Sequence, residues 1–267
     1  MKQLSPQQNW LESWKYSYSY DLLEIYGDAG NLAYTYAYEN RRKQTLELIQ
    51  KVSSARDKIL DVAAAQGNFS LALAELGYEV TWNDLRGELA DYVRKKWEHG
   101  TIHYAPGNIF FLKFDSCFDV ILIAEVIEHV AHPDEFLRNI AQMLKPGGHI
   151  VISTPNGEYF KNRLPKFSDC PDPSQFEKIQ FKPDADGHIF LLHLDEIKII
   201  AEQAGLEVKE IRVLTNPLTN GHLKLAPILK FVPKFWVDTF EQWTEQLPFW
   251  IQRRLHICTI ALLTRSQ

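Results

Sequence analysis

The chain has 267 residues, 45% hydrophobic and 24% charged, with a formal net charge of −5. That is enough apolar material for a sizeable core, and the acidic balance argues against a general electrostatic grip on nucleic acid or anionic lipid. No apolar run reaches the roughly 18–20 residues of a membrane helix, and "MKQLSPQQNW" lacks the apolar centre of a signal peptide.

Cys117, Cys170 and Cys258 lie far apart, without Cys-x-x-Cys or zinc-site spacing, as expected of reduced thiols in a cytoplasmic protein. Residues 1–57 carry a tyrosine cluster in "WKYSYSYDLLEIYG" and "YTYAYENRR". Tyr16, Tyr18 and Tyr20 alternate, so they share a face in an extended chain and spread around a helix. They suit either core packing or the wall of a pocket for an aromatic, sugar or quaternising amine group. "QTLELIQKV" reads as a helix with Leu48, Ile49 and Val52 inward.

From Lys58 onward strands and helices alternate. "KILDVAA" is a buried strand, "NFSLALAELG" a helix closed by Gly77, and "YEVTWND" a second strand. "RGELADYVRKKWEHG" is a helix ending at Gly100, "IHYAPGN" a short third strand, and "FDVILIAE" an apolar fourth. "HPDEFLRNIAQMLKPGG" reads as a helix stopped by Pro146, Gly147 and Gly148, followed by "HIVISTP" as the fifth strand. "LDEIKIIAEQAG" is a helix, "LEVKEIRVL" a sixth strand and "HICTIALLT" one more. Such alternation means a parallel sheet covered by helices on both faces. Residues 156–188, rich in Pro and Asp, read as a long loop. In residues 215–253, Trp236, Trp243 and Trp250 recur at seven-residue intervals. That puts them on one helical stripe, expected to be core or lid, with a dimer or partner surface and a membrane-surface role as alternatives.

In an open parallel sheet, ligands bind beyond the carboxyl ends of the strands. The first such loop, "VAAAQGN", has Ala63 and Ala65 where a nucleotide loop usually has glycine, and keeps Gly67. Alanine is the next smallest residue, and its methyl is tolerated while φ stays negative. A plain core-helix start is the competing reading. Asp84, 23 residues after Asp61, ends the second strand, where a carboxylate accepts hydrogen bonds from both ribose hydroxyls; a turn or N-cap aspartate is the alternative. Asn108, at the end of the third strand, can meet a purine edge.

Together with "FDVILIAEVIEHVAHPDEFL" and "LKPGGHIVISTPN", these features resemble the class I S-adenosylmethionine-dependent methyltransferases, nearest in style to the ubiquinone-biosynthesis O-methyltransferases. The resemblance is close over 58–155 and looser over "GHIFLLHLDEIKIIAEQAGLEV". It implies a Rossmann-like, doubly wound, mostly parallel seven-stranded α/β sheet with an N-terminal helical region and inserted lid segments. Residues 1–57 are then an aromatic-rich cap, 58–155 the cofactor-binding core, 156–188 a substrate lid, and 189–267 the rest of the core with a helical insert at 215–253.

The resemblance also implies roles for individual residues. Asp61 and the backbone of Ala63, Ala65 and Gly67 face the methionine part of S-adenosylmethionine. Asp84 holds the ribose, Leu85 and Ile109 sandwich the adenine, Asn108 contacts its edge, and Glu125 and Val126 lie beside the methionine end. Ala63, Ala65 and Asn108 depart from the family pattern. Arg41 or Arg42, at the inward edge of its helix, is placed to reach the cofactor carboxylate; two solvated arginines are the alternative. Glu125, Glu128 and His129 resemble a divalent-metal motif of some members, although no metal is the leading expectation. His129, and after it His188, is the candidate base for the acceptor proton.

The implied activity is in-line methyl transfer to a hydroxyl or amine of a small molecule, releasing S-adenosylhomocysteine. A non-catalytic cofactor-binding module and a nicotinamide-type oxidoreductase are the alternatives. The latter calls for a Gly-x-Gly-x-x-Gly that is absent. The expected partner is a small-molecule acceptor, not nucleic acid, with a homodimer through 215–253 as a further possibility.

Overall fold

The computed structural model describes residues 1–27, 29–114, 117–180, 187–219 and 226–265. Parts of the expected lid and helical insert, 181–186 and 220–225, lie outside the described residues. Two helices open the chain, α1 (Glu12–Glu24) and α2 (Leu32–Val52). There follow β1 (Lys58–Val62), α3 (Asn68–Glu75), β2 (Glu79–Trp82), α4 (Leu89–Lys96), β3 (Thr101–Tyr104), β4 (Phe118–Ala124), α5 (Pro133–Ala141) and β5 (Leu144–Pro155). The chain continues through α6 (Leu194–Gln203), β6 (Leu206–Leu214), α7 (Ala226–Leu229), α8 (Lys234–Glu245), α9 (Phe249–Leu255) and β7 (Cys258–Arg265).

The seven strands form one sheet in the order β3-β2-β1-β4-β5-β7-β6. All neighbours are parallel except β7, which runs antiparallel to both β5 and β6. Alternation of side chains decides what each face holds. Leu60, Ile121, Ile123, Ile150 and Ile152 pack against α5 and α6, while Ile59, Val120, Leu122 and Val151 pack against α2 and α3. A third cluster joins Trp82 and α4 to Trp10 ahead of α1. The strand order reverses between β1 and β4, which opens a crevice at their carboxyl ends.

Local sequence explains the helix ends. Gly67 (φ 71°) starts α3, and Gly77 (φ 96°) follows its end. Pro133 opens α5, with Asp134 and Glu135 in its first turn, where the helix dipole favours acidic side chains.

Three expectations are corrected. The helix read as running to Gly148 ends at Ala141, and "LKPGG" belongs to β5. Leu144 pairs with Phe118, the register then slips before Val120, and Gly147 (φ 74°) turns within that irregularity. A Cβ on Gly148 would lie 3.0 Å from the Asp119 carbonyl oxygen, so glycine there serves strand approach rather than helix termination. The tryptophan stripe is not one helix, because the chain breaks at Pro248 between α8 and α9. Nor is it core: Trp236, Trp243 and Trp250 are 61%, 57% and 70% exposed, and α8 buries Val237, Glu241 and Thr244 instead. Tyr16, Tyr18 and Tyr20 lie on helix α1, so they spread around it.

Candidate cofactor and acceptor site

The loop after β1 is stitched to the end of β2. Ala64 N donates to the Asn83 carbonyl at 2.7 Å, and Ala65 N to Asp84 Oδ2 at 2.9 Å. Ala63 and Ala65 both take positive φ, 52° and 46°. The expectation that they keep negative φ is therefore overturned: the turn demands the left-handed region at both, at about 1–2 kcal/mol for each Cβ. At Gly67 the space itself is taken, since a Cβ would meet Val93 Cγ2 at 2.8 Å.

Asp61 is buried, and its Oδ2 accepts from Ser70 Oγ at 2.6 Å. Burial raises its pKa to about 7, against the Ser70 hydrogen bonds that lower it. Asp84 is buried too, and its carboxylate is fully subscribed. Oδ1 accepts from Arg86 N (2.8 Å) and Nε (3.0 Å), and Oδ2 from Ala65 N (2.9 Å) and Arg86 Nη2 (3.2 Å). These four bonds match the roughly four acceptor positions of a carboxylate. Leu85 is exposed beside it, while Ile109 is buried. Asn108 Oδ1 accepts from Phe110 N at 3.0 Å and caps the short turn Ile109–Phe111.

Glu125 leaves β4 with φ 55° and bridges two elements. Its Oε1 accepts from Ser153 Oγ of β5 at 3.1 Å, and its Oε2 pairs with Arg41 Nη1 of α2 at 2.8 Å. Val126 is buried next to it. Arg42 follows on α2, and the Nε atoms of both arginines are buried without a hydrogen-bond partner among the described residues. Orphaned guanidinium donors beside a strand-end crevice fit an anionic ligand such as a carboxylate.

The two candidate bases meet. Ile189 N donates to the Glu128 carbonyl at 2.8 Å, and the rings of His129 and His188 come to 4.8 Å between centroids. Glu128 lies buried beneath them, with Oε2 accepting from Thr154 Oγ1 at 3.0 Å. Burial, reinforced by the Glu125 charge, pushes the Glu128 carboxyl well above its usual range. Ligand atoms of Glu128, His129 and His188 lie within 4.8 Å of one another, a set able to hold a divalent ion. The alternative metal set of Glu125, Glu128 and His129 is corrected accordingly: Glu125 turns to Arg41, and His188 stands in its place.

Sequence reading missed Arg86, Thr154 and the buried trio Asp21, Glu24 and Lys96. Arg86 had a signal, a cation two residues beyond a strand-end carboxylate. The trio had none, since its members are remote in sequence.

A sheet of this order, with a tight small-residue loop after β1 and a carboxylate ending β2, defines a class I, Rossmann-like, S-adenosylmethionine-dependent methyltransferase. The chain belongs to the methyltransferase domain family, whose model matches residues 36–211. Among curated relatives it is 28% identical over 198 residues to a ubiquinone biosynthesis O-methyltransferase of Rickettsia canadensis, covering 67% of this chain and 77% of that protein. It is 31% identical over 195 residues to the enzyme so named from Pseudomonas fluorescens, covering 67% and 76%. Its fold is similar to an S-adenosylmethionine-dependent methyltransferase from Mesorhizobium loti, with TM-score 0.57, 16% identity, and 84% of this chain and 96% of that one covered. It is also similar to the N-methyltransferase NodS of Bradyrhizobium japonicum in complex with S-adenosylhomocysteine, with TM-score 0.54, 17% identity and coverage of 96% and 99%. Among the described residues, no helix is long and apolar enough to cross a membrane.

Proposed function

We propose that this methyltransferase moves a methyl group onto a hydroxyl of a small-molecule acceptor, with His129 and His188 handling the acceptor proton. The observation that carries this is the convergence of both imidazoles above Glu128 at the end of β4. The relatives named as ubiquinone biosynthesis O-methyltransferases support a hydroxyl over an amine.

When bound, S-adenosylmethionine supplies an electrophilic methyl on sulfonium sulfur. The residues of this chain bind, orient and exclude water. Backbone groups of Ala63, Ala65 and Gly67, with Asp61, line the methionine side, and Arg41 or Arg42 meets its carboxylate. Asp84 takes the ribose hydroxyls once the Arg86 side chain, which is 33% exposed, turns outward. Leu85 and Ile109 flank the adenine and Asn108 its edge, while Glu125 and Val126 close the methionine end. His129 accepts the acceptor's proton as the oxygen attacks, and His188 orients it. We further assign the tyrosine cluster of the N-terminal cap and the described parts of the insert, 156–180 and 187–188, to the walls on the acceptor side.

The test is turnover of S-adenosylmethionine with a panel of phenolic and alcoholic acceptors. His129→Ala should lower kcat by at least about a hundredfold while leaving S-adenosylhomocysteine affinity unchanged. Undiminished turnover would reject the histidine assignment. The triad of Glu128, His129 and His188 supports a second reading, a bound divalent cation that acidifies the acceptor hydroxyl. Loss of activity on exhaustive chelation and recovery with magnesium or zinc would support it; full activity after chelation would remove it.

Exposure of Trp236, Trp243 and Trp250 supports a homodimer surface within the described part of 215–253, and light scattering at increasing concentration tests it. The wide spacing of Cys117, Cys170 and Cys258, without Cys-x-x-Cys, supports a cytoplasmic setting.

A further inference from the structure

A buried polar network ties the N-terminal helix to the loop after β1. Asp21 and Glu24 lie one turn apart on α1, and both are buried. Lys96, at the end of α4, is completely buried, and so is its partner Asp21. The Lys96 ammonium donates to both Asp21 carboxylate oxygens at 2.8 Å, to the Gln66 carbonyl at 3.1 Å and to Asn68 Oδ1 at 2.5 Å. Tyr92 Oη adds a donor to Asp21 at 2.6 Å. From the other side, Glu24 Oε2 accepts from Gln66 Nε2 at 2.9 Å and from Asn68 Nδ2 at 2.8 Å. The residues on both sides of Gly67 are therefore gripped by groups from α1 and α4.

This loop is also where Ala63 and Ala65 sit in the left-handed region. Glycine occupies that region freely, whereas alanine must be held there. A buried ion pair is a poor source of net stability, because apolar residues of similar volume in its place are often neutral or better. Its presence against a strained loop points to a positioning role.

We propose that Asp21, Glu24 and Lys96 are positioning residues for cofactor binding: they hold loop 63–68 in the left-handed form that its two alanines do not adopt unaided. The N-terminal segment is then part of the cofactor site, acting through the loop. This rests on reading the loop as the cofactor loop.

Calorimetry with S-adenosylhomocysteine, paired with thermal melts of the ligand-free full chain, separates this role from simple support of the fold. Asp21→Leu with Lys96→Met replaces the pair by apolar groups. Because the Tyr92 hydroxyl and the Gln66 carbonyl lose their partner, Tm should fall while the chain still folds, and binding should weaken by about tenfold or more. Adding Ala63→Gly and Ala65→Gly to that variant should recover most of the lost affinity, because glycine needs no clamp. Glu24→Met, a smaller lesion that leaves Lys96 and Asp21 paired, should weaken binding about threefold or more, and it carries the test if the double variant does not fold. Unchanged affinity in a folded variant, or the same loss with glycines in the loop, would overturn the proposal. Absence of binding by the parent chain would instead overturn the cofactor reading on which it rests.

Discussion

Ala65 shows how a single residue type constrains the site. Its amide donates to Asp84 while its φ is positive, a conformation that alanine resists. Ala65→Gly should therefore raise stability by about 0.5–1 kcal/mol, the left-handed cost less the added entropy of the unfolded chain, as read by denaturant melts. Asp84 and Arg86 lead to a pair of opposite outcomes. Arg86→Ala frees acceptor positions on Asp84 and should tighten S-adenosylhomocysteine binding a few-fold. Asp84→Ala should weaken it by about 1.5–3 kcal/mol, the scale of charged hydrogen bonds. Calorimetry on both variants decides; unchanged affinity in a folded Asp84→Ala variant would move the ribose elsewhere. Asp61 has a pH signature. Its folded pKa, near 7, lies above its unfolded value, so the folded state holds more protons between about pH 4 and 7. Its contribution is fully present below that window and lost as pH rises through it. The Tm of Asp61→Asn should thus gain on the parent from pH 4 to 7 and level off above. Arg86 was missed, whereas the type and position of Ala65, Asp84 and Asp61 were legible in the sequence. The sign of φ at Ala63 and Ala65 was not, because it follows from closing a loop onto β2.

At the scale of elements, the histidine pair is held by the Ile189–Glu128 backbone hydrogen bond and by a close backbone approach at Gly157. Gly157, just after β5, donates to the Leu192 carbonyl at 3.2 Å, and a Cβ there would lie 2.1 Å from the Leu191 carbonyl oxygen. That contact keeps the chain before α6 against β5, and the same chain supplies His188 and Ile189. Gly157→Ala should displace this segment, destabilise the protein by about 1–3 kcal/mol and lower kcat more than cofactor affinity. Equal effects on both would mean that the segment supports the fold without setting the bases. Most strands were readable from apolar runs and turn residues. The end of α5 was not, because Pro146, Gly147 and Gly148 serve a strand irregularity as well as they would a helix stop. The Pro248 break did have a local signal, the proline itself, which the seven-residue tryptophan spacing masked because it fits one helix or two.

For the whole molecule, β7 decides how the second half of the sheet closes, and it begins beside a buried histidine. His256 Nδ1 lies 2.9 Å from the Val213 carbonyl, and burial depresses its pKa to about 4. The unfolded chain then binds the extra proton between about pH 4 and 6.5, so this contribution is present above 6.5 and lost as pH falls through the window. His256→Gln, which can still donate to Val213, should lose less stability than the parent on acidification from pH 6.5 to 4. A parallel fall in both Tm curves would show that another group governs the acid side. The sequence by itself determined the β–α alternation, the apolar strands and the carboxylates at their ends, because those signals are local and periodic. Tertiary structure decided which distant groups share the site. His188 reaches His129 across a long loop, Arg41 turns Glu125 away from them, and Asp21, Glu24 and Lys96 meet around loop 63–68. Such meetings depend on how helices dock across the sheet, and docking is set by the shape and burial of surfaces that no local pattern encodes.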